Sequence, residues 1–243
     1  VRVALLLLLL AGCATSEPEH SGLRLVALAQ GPGALHVQVC PEDADSCDDL
    51  TVTRGTVSDA LELVPGIHEI RVSATEDGPV LSRFEYGFGP GAEYALALYG
   101  VADEPTHVSW TAEAKDLLGG IDEPFVAGFQ LAHRMVPLRP PDADEAGEVR
   151  LVHGAPGAQP VRGTLALDSE TIELPAVPYG AMGEAVRVER ASGRLTLSFE
   201  GSPLDLAHVD LEPRPGTLTV VYVGAIEDGS LEVFTDRVGV SPR

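Results

Sequence analysis

The sequence predicts an all-β protein in which two β-sandwich domains follow one another along the chain. Three observations carry that expectation. Apolar residues alternate with polar ones over short stretches, as a strand with one buried and one wet face requires. Turn signals built on Gly, Pro, Asp and Ser recur about every 8–12 residues. A weak repeat also relates the two halves of the chain at an offset of roughly 125 residues.

Composition agrees with this. The 243 residues give room for two small domains or one large one. Apolar residues make up 44% and aromatics only 5%, so the cores must rest mainly on Val, Leu, Ile and Ala. The 26 glycines and 19 prolines exceed average usage without reaching the level of low-complexity chains, as in a turn-rich β protein. A formal net charge of −21 repels phosphate backbones and excludes nucleic acid as a partner. The same field favours solubility and attracts cations or basic proteins.

In the first unit, residues 22–137, Leu23-Arg24-Leu25-Val26 opens a strand. Leu35, Val37 and Val39 then alternate with His36, Gln38 and Cys40, which predicts a second strand. RGTVSDALEL, containing Gly55, leads to a Pro65-Gly66 turn flanked by Leu63 on one side and Ile67, Ile70 and Val72 on the other. Phe84, Tyr86 and Phe88 alternate with Arg83, Glu85 and Gly87. Pro90-Gly91 precedes EYALALYG, a continuous apolar run of the kind that a strand covered on both faces needs. Residues 111–118 (TAEAKDLL) have helix-forming composition and are stopped by Gly119-Gly120. Residues 138–147 (LRPPDADEAG), with adjacent prolines and acidic side chains, read as a linker with nothing to bury.

The second unit, residues 148–243, answers the first in order. Val149-Arg150-Leu151-Val152 matches the opening strand, and Gly180 in YGAMGEAVRV matches Gly55. Ser192-Gly193 before RLTLSF matches Pro65-Gly66, and Pro215-Gly216 before TLTVVYVG matches Pro90-Gly91.

At the N-terminus, Arg2 precedes an apolar run over residues 3–10. That run is too short to span a bilayer as a helix, which needs about 20 residues, and has the length of a signal-peptide core. Leu10-Ala11-Gly12-Cys13 resembles the lipobox of bacterial lipoproteins. The resemblance implies that residues 1–12 are a signal peptide and that Cys13 is diacylglycerylated and becomes the new N-terminus. The membrane is then a partner through N-terminal acyl chains, each buried CH₂ contributing about 0.8 kcal/mol. Residues 13–21 form a polar tether carrying Pro18. Ala14 stands where an Asp implies inner-membrane retention in the enteric pattern, so the outer membrane, at its periplasmic face or the cell surface, is the preferred location. With Cys13 given to lipid, Cys40 and Cys47 remain as a pair in an oxidising compartment. Closing their short loop contributes about 2–3 kcal/mol on the chain-entropy model.

Residues 149–158 (VRLVHGAPGA) resemble the opening of the DUF4397 domain, as do Tyr179-Gly180, the turn at Gly193 and the run from Gly216 to Gly224. The first copy departs from that pattern, with Ala27 where His153 stands and GPG at the turn. The resemblance implies immunoglobulin-like β-sandwiches on exported, often surface-attached proteins. It carries no assigned activity and no functional residue.

No GxSxG, HExxH, Walker loop, dinucleotide fingerprint or CxxC motif is present. The sequence therefore points to no catalytic residue, metal ligand or cofactor. His153 begins a strand-to-turn segment, and a hydrogen bond within its own turn is the favoured role; His36 is expected to face solvent. The acidic run Glu42, Asp43, Asp45, Asp48 and Asp49 lies on the loop closed by Cys40 and Cys47. Calcium is one reading of it. A solvated loop is favoured, because the run holds no glycine and no terminal bidentate Glu at the right spacing. Asp142, Asp144 and Glu145 read the same way. Phe84, Tyr86 and Phe88 form either core or an aromatic platform for sugar rings, with core favoured. Trp110 fits a domain interface or a binding surface. The function expected is a non-enzymatic structural, adhesion or interaction module of the cell envelope that meets an envelope or extracellular protein or a glycan. The alternative is a carbohydrate- or calcium-binding lipoprotein.

Overall fold

A computed structural model describes residues 20–42, 46–102, 130–167, 170–189, 192–225 and 230–239. All regular structure among them is β. The first copy comprises β1 (Ser21–Ala27), β2 (Ala34–Pro41), β3 (Asp48–Thr53), β4 (Leu61–Leu63), β5 (Gly66–Ser73), β6 (Val80–Phe88), β7 (Glu93–Tyr99) and β8 (Ala132–Pro137). These form two sheets of four strands, in the orders β3-β2-β5-β6 and β4-β1-β7-β8. Only β1 and β7 run parallel, in register from Gly22 opposite Glu93 to Ala27 opposite Leu98.

The second copy comprises β9 (Gly147–His153), β10 (Val161–Leu167), β11 (Thr171–Val177), β12 (Ala181–Met182), β13 (Val186–Val188), β14 (Gly193–Phe199), β15 (Asp205–Leu211), β16 (Thr217–Ala225) and β17 (Leu231–Gly239). Its sheets run β11-β10-β14-β15 and β12-β9-β16-β17, with β13 also on β9. The order is that of the first copy, with β13 on β9 answering β4 on β1, the parallel pair β9–β16 answering β1–β7, and the short β12 answering only an isolated bridge between Val26 and Val57. Both copies are immunoglobulin-like in architecture, two stacked sheets, and share this strand order. The repeat extends to the turns. Gly55 and Gly180 both take φ 72°, and Gly91 and Gly216 take 66° and 67°. That left-handed region favours residues without a Cβ.

The side-chain period of two explains how the copies assemble. On β1, Leu23, Leu25 and Ala27 point into the first sandwich with Leu96 and Leu98 of β7. The alternate side chains Val26, Ala95, Ala97 and Tyr99 point the other way, against Leu218, Val220 and Tyr222 of β16 and Val152 of β9. The odd-numbered Val149, Leu151, Val221 and Val223 fill the second sandwich. The inner sheet of each copy is thus covered on both faces, and four sheets stack in the order outer, inner, inner, outer. This accounts for the continuous apolar runs of β7 and β16. Double burial leaves few positions for polar side chains, and the buried hydroxyls of Thr219 and Tyr222 on β16 have no hydrogen-bond partner among the described residues.

Leu138 departs from its sequence reading. Within the expected linker it is 2% exposed and packs in the core between the two inner sheets, where the chain steps off β8. The expected helix over residues 111–118 lies outside the described residues, as do Trp110 and Cys13. Strand β8 was not anticipated, because Arg134 and His133 break its apolar pattern.

Candidate interaction surface

The fused faces place their charged side chains by the same repeat. Arg24 and Arg150 occupy equivalent positions on β1 and β9, and each crosses to the other copy. Arg24 Nη1 reaches Asp236 Oδ1 of β17 at 3.5 Å, and Arg150 Nη1 donates to the carbonyl of Pro137 on β8 at 2.9 Å. The crossing has pseudo-two-fold form with one difference, since Asp236 has no acidic counterpart on β8. Burial raises the pKa of Asp236 and Arg24 works against that. Tyr222 beside it is fully buried and its phenol is pushed up, mainly by burial and then by Asp236. A second tie converges on the carbonyl of Gly180, which accepts from Arg134 Nε at 2.9 Å and Nη2 at 2.7 Å. These contacts make the two sandwiches one block.

With the inner faces committed to each other, the outer sheets and their edges face outward. On the outer sheet of the first copy, β2 and β3 carry the disulfide Cys40–Cys47 across the end of their hairpin. Their register sets His36 opposite Thr51 and Gln38 opposite Asp49. His36 Nδ1 lies 3.3 Å from Thr51 Oγ1, and Nε2 lies 3.3 Å from Asp49 Oδ1. His36 is 8% exposed, which corrects the expectation of solvent exposure. The reason is its strand: β2 is flanked by β3 and β5, so neighbouring side chains cover a ring that leaves the sheet face. Sequence reading missed this trio. The signal was present, because counting back four residues from Cys40 and on four from Cys47 pairs His36 with Thr51.

A hydroxyl, an imidazole and a carboxylate in a row have the order of a nucleophile, its base and an orienting group. Catalysis needs in addition a cleft and donors for a developing oxyanion. The trio instead lies on a sheet face, and none of its members lines the neighbouring depression. That depression, of about 360 Å³, is lined by Cys40, Pro41, Glu42, Cys47, Ile67, Glu69, Arg71 and Glu85. Within it Glu69 is held by both Arg71 and Arg83, Arg83 Nε donating to its Oε2 at 2.7 Å. The Arg83 hydrogen bond, with Arg71 beside it, keeps the Glu69 carboxyl below its ordinary range. A similar row, Thr196–His208–Asp205, lies on the exposed outer sheet of the second copy.

His153 is fully buried; the Ala155 N–H donates to its Nδ1 at 3.3 Å, and Nε2 lies 3.2 Å from the Gln159 carbonyl. It holds its own turn. Phe84, Tyr86 and Phe88 face the first core, where Tyr86, Phe88 and Tyr94 meet edge to face and Phe84 stacks on His133 with ring centroids 3.4 Å apart. The strand offers no sugar platform on its outward row. Of the acidic run, Asp43 and Asp45 lie outside the described residues. Among the described residues, no three His, Cys, Asp or Glu side chains come together to hold a metal ion. No helix among them is long and apolar enough to cross a membrane.

No family model matches the chain, and no curated protein does. Solved structures similar to it include the carbohydrate-binding module CBMbc (family CBM26) of Eubacterium rectale Amy13K, in complex with maltoheptaose. It is 11% identical, the match covers 91% of this chain and 98% of that one, and the TM-score is 0.24. An adhesin candidate from Bacteroides thetaiotaomicron is 9% identical, with 93% and 100% covered and a TM-score of 0.21. A cell-adhesion candidate from Bacteroides eggerthii is 8% identical, with 92% and 97% covered and a TM-score of 0.23. These superpositions are loose.

Proposed function

We propose that this chain is a non-enzymatic, lipid-anchored module of the cell envelope that presents the outer surfaces of a fused pair of sandwiches to a protein partner. The observation that carries the reading is the double coverage of the inner sheets. A protein that commits one sheet of each sandwich to its twin keeps two outer sheets, their edges and the connecting loops as outward surfaces. It also holds them at fixed separation. That geometry suits recognition over a broad face or along a strand edge, whereas acid–base chemistry needs groups converging in a dry cleft. The inward-facing rings of β6 favour a protein over a glycan.

The anchor is the lipobox cysteine, with residues 14–21 as tether, and the strongly acidic surface is held off anionic headgroups by like charge. Metabolic labelling with a clickable fatty acid is expected to mark the parent and to miss Cys13→Ala; equal labelling of both overturns the anchor. For the partner class, the purified chain is applied to a glycan array and, immobilised, to solubilised envelope protein. Specific protein retention with a silent array is expected. Glycan binding without protein retention reverses the assignment.

A further inference from the structure

The free edge of β6 carries its own complement. β6 is a nine-residue strand at the end of its sheet, bonded to β5 on one side only among the described residues. The N–H of Glu42 bonds the carbonyl of Ile67, so Ile67 directs its backbone groups away from β6. Backbone direction alternates along a strand. His68 and Ile70 therefore bond β6 through Tyr86 and Phe84, their register partners. It follows that Arg83 and Glu85 turn their backbone N–H and C=O groups to the open edge. Their side chains stand on the outward face, where both are exposed. Arg83 already holds Glu69, but Glu85 has no ion pair among the described residues.

An open edge of this length is a template for another strand, and proteins commonly protect such edges with Pro, bulges or charge; the one bulge of β6, at Leu81, lies before Arg83 and leaves residues 82–88 in regular register with β5. β11 carries Pro175 and β4 has three residues. β6 contains no Pro or Lys. Its two charges are of opposite sign and sit one residue either side of Phe84.

We infer that β6 pairs antiparallel with β6 of a second copy of this chain, about a two-fold axis at Phe84. In that register Phe84 faces Phe84 of the other copy as a non-hydrogen-bonded pair. Arg83 faces Glu85 and Glu85 faces Arg83, each pair exchanging two backbone hydrogen bonds. Opposite charges are then directly across from one another, which favours the register. Centring on Arg83 or on Glu85 sets like charges face to face and disfavours those alternatives. The half-buried Phe84 and Tyr86 gain cover on the inner side, and the two outer sheets become one continuous sheet of eight strands.

Analytical ultracentrifugation of the full chain carrying Cys13→Ser, which removes the thiol outside the disulfide and with it any acyl anchor, tests this. A reversible dimer is expected. Glu85→Arg and Arg83→Glu should each weaken it at least tenfold, and an equimolar mixture of the two variants should form a heterodimer, because complementary signs then meet again. Glu85→Pro should leave the monomer folded and abolish the dimer, since that N–H faces outward and bonds nothing on β5. Thermal unfolding of each variant separates loss of association from loss of fold. A parent that stays monomeric at 100 µM overturns the inference. So does a Glu85→Arg variant that dimerises as tightly as the parent, or slow hydrogen exchange at Arg83 and Glu85 in a monomer, which would show the edge covered by the same chain.

Discussion

The imidazole of His153 closes the turn after β9 through both its nitrogens. Nδ1 accepts from the Ala155 N–H and Nε2 donates to the Gln159 carbonyl, so the ring is held neutral in one tautomer. Burial lowers its pKa from 6.5, with nearby backbone carbonyls opposing the shift. The folded state therefore resists a proton that the unfolded chain accepts near pH 6.5. The stabilisation is complete above that pH and is lost as the pH falls. His153→Ala is expected to lower stability by about 1–3 kcal/mol at pH 7.5 by leaving buried partners unsatisfied. The gap between parent and variant in urea denaturation should narrow by pH 5, and a gap that widens on acidification would contradict the assignment. At the same scale, Gly154 shows why the residue after this histidine is small. A Cβ there would lie 2.7 Å from Leu28 Cδ1 and 2.9 Å from Tyr99 Cβ, both across the junction between the copies.

Strands were legible where one face is wet and less so where neither is. The alternation of Leu35, Val37 and Val39 assigns β2 without ambiguity, and the same pattern assigns β6. For β7 and β16 the continuous apolar runs implied cover on both faces, yet no residue in them says what the second cover is. Arg24 and Arg150 hide the answer, since an arginine on an opening strand reads as its solvent face. Here each arginine crosses the junction to an acceptor on the other copy. Strand β8 and the buried Leu138 were missed for a related reason: pairing to β7 and packing against the second copy, not local pattern, make them what they are. The disulfide hairpin was legible as a covalent link but not as a register, although Cys40 and Cys47 extend the β2–β3 ladder and so place His36 beside Thr51. Replacing both cysteines by serine is expected to cost about 2–3 kcal/mol. Because the link lies at the hairpin's end and outside the first core, near- and far-ultraviolet circular dichroism should stay unchanged. Loss of the near-ultraviolet signal would show instead that the bridge organises the core.

At the scale of the molecule, a repeat at roughly 125 residues becomes a structural duplication, with matched strand orders and matched glycine turns. Equivalent sheets meet face to face, so residues at equivalent positions serve equivalent ends. This explains why β7 and β16, central in the inner sheets, read as continuous apolar runs while strands of the outer sheets such as β2 and β6 alternate. The arrangement commits the inner sheets and leaves the outer ones for contact with other molecules, which is the physical basis of the proposed role. Domain pairs in one chain usually move relative to each other unless their interface is large and hydrophobic. Here the interface has its own apolar core, running from Val26 and Leu28 through Tyr222 to Val238.

Differential scanning calorimetry shows whether the two copies melt as one block, with Leu28→Asp as the comparison, because Leu28 is 1% exposed and belongs to the core between the copies. A buried aspartate there costs several kcal/mol while leaving each sandwich its own core. The parent is expected to unfold in a single transition whose calorimetric and van't Hoff enthalpies agree, and Leu28→Asp to unfold in two. A parent that melts in two separate steps, unaltered by Leu28→Asp, would contradict a fused block.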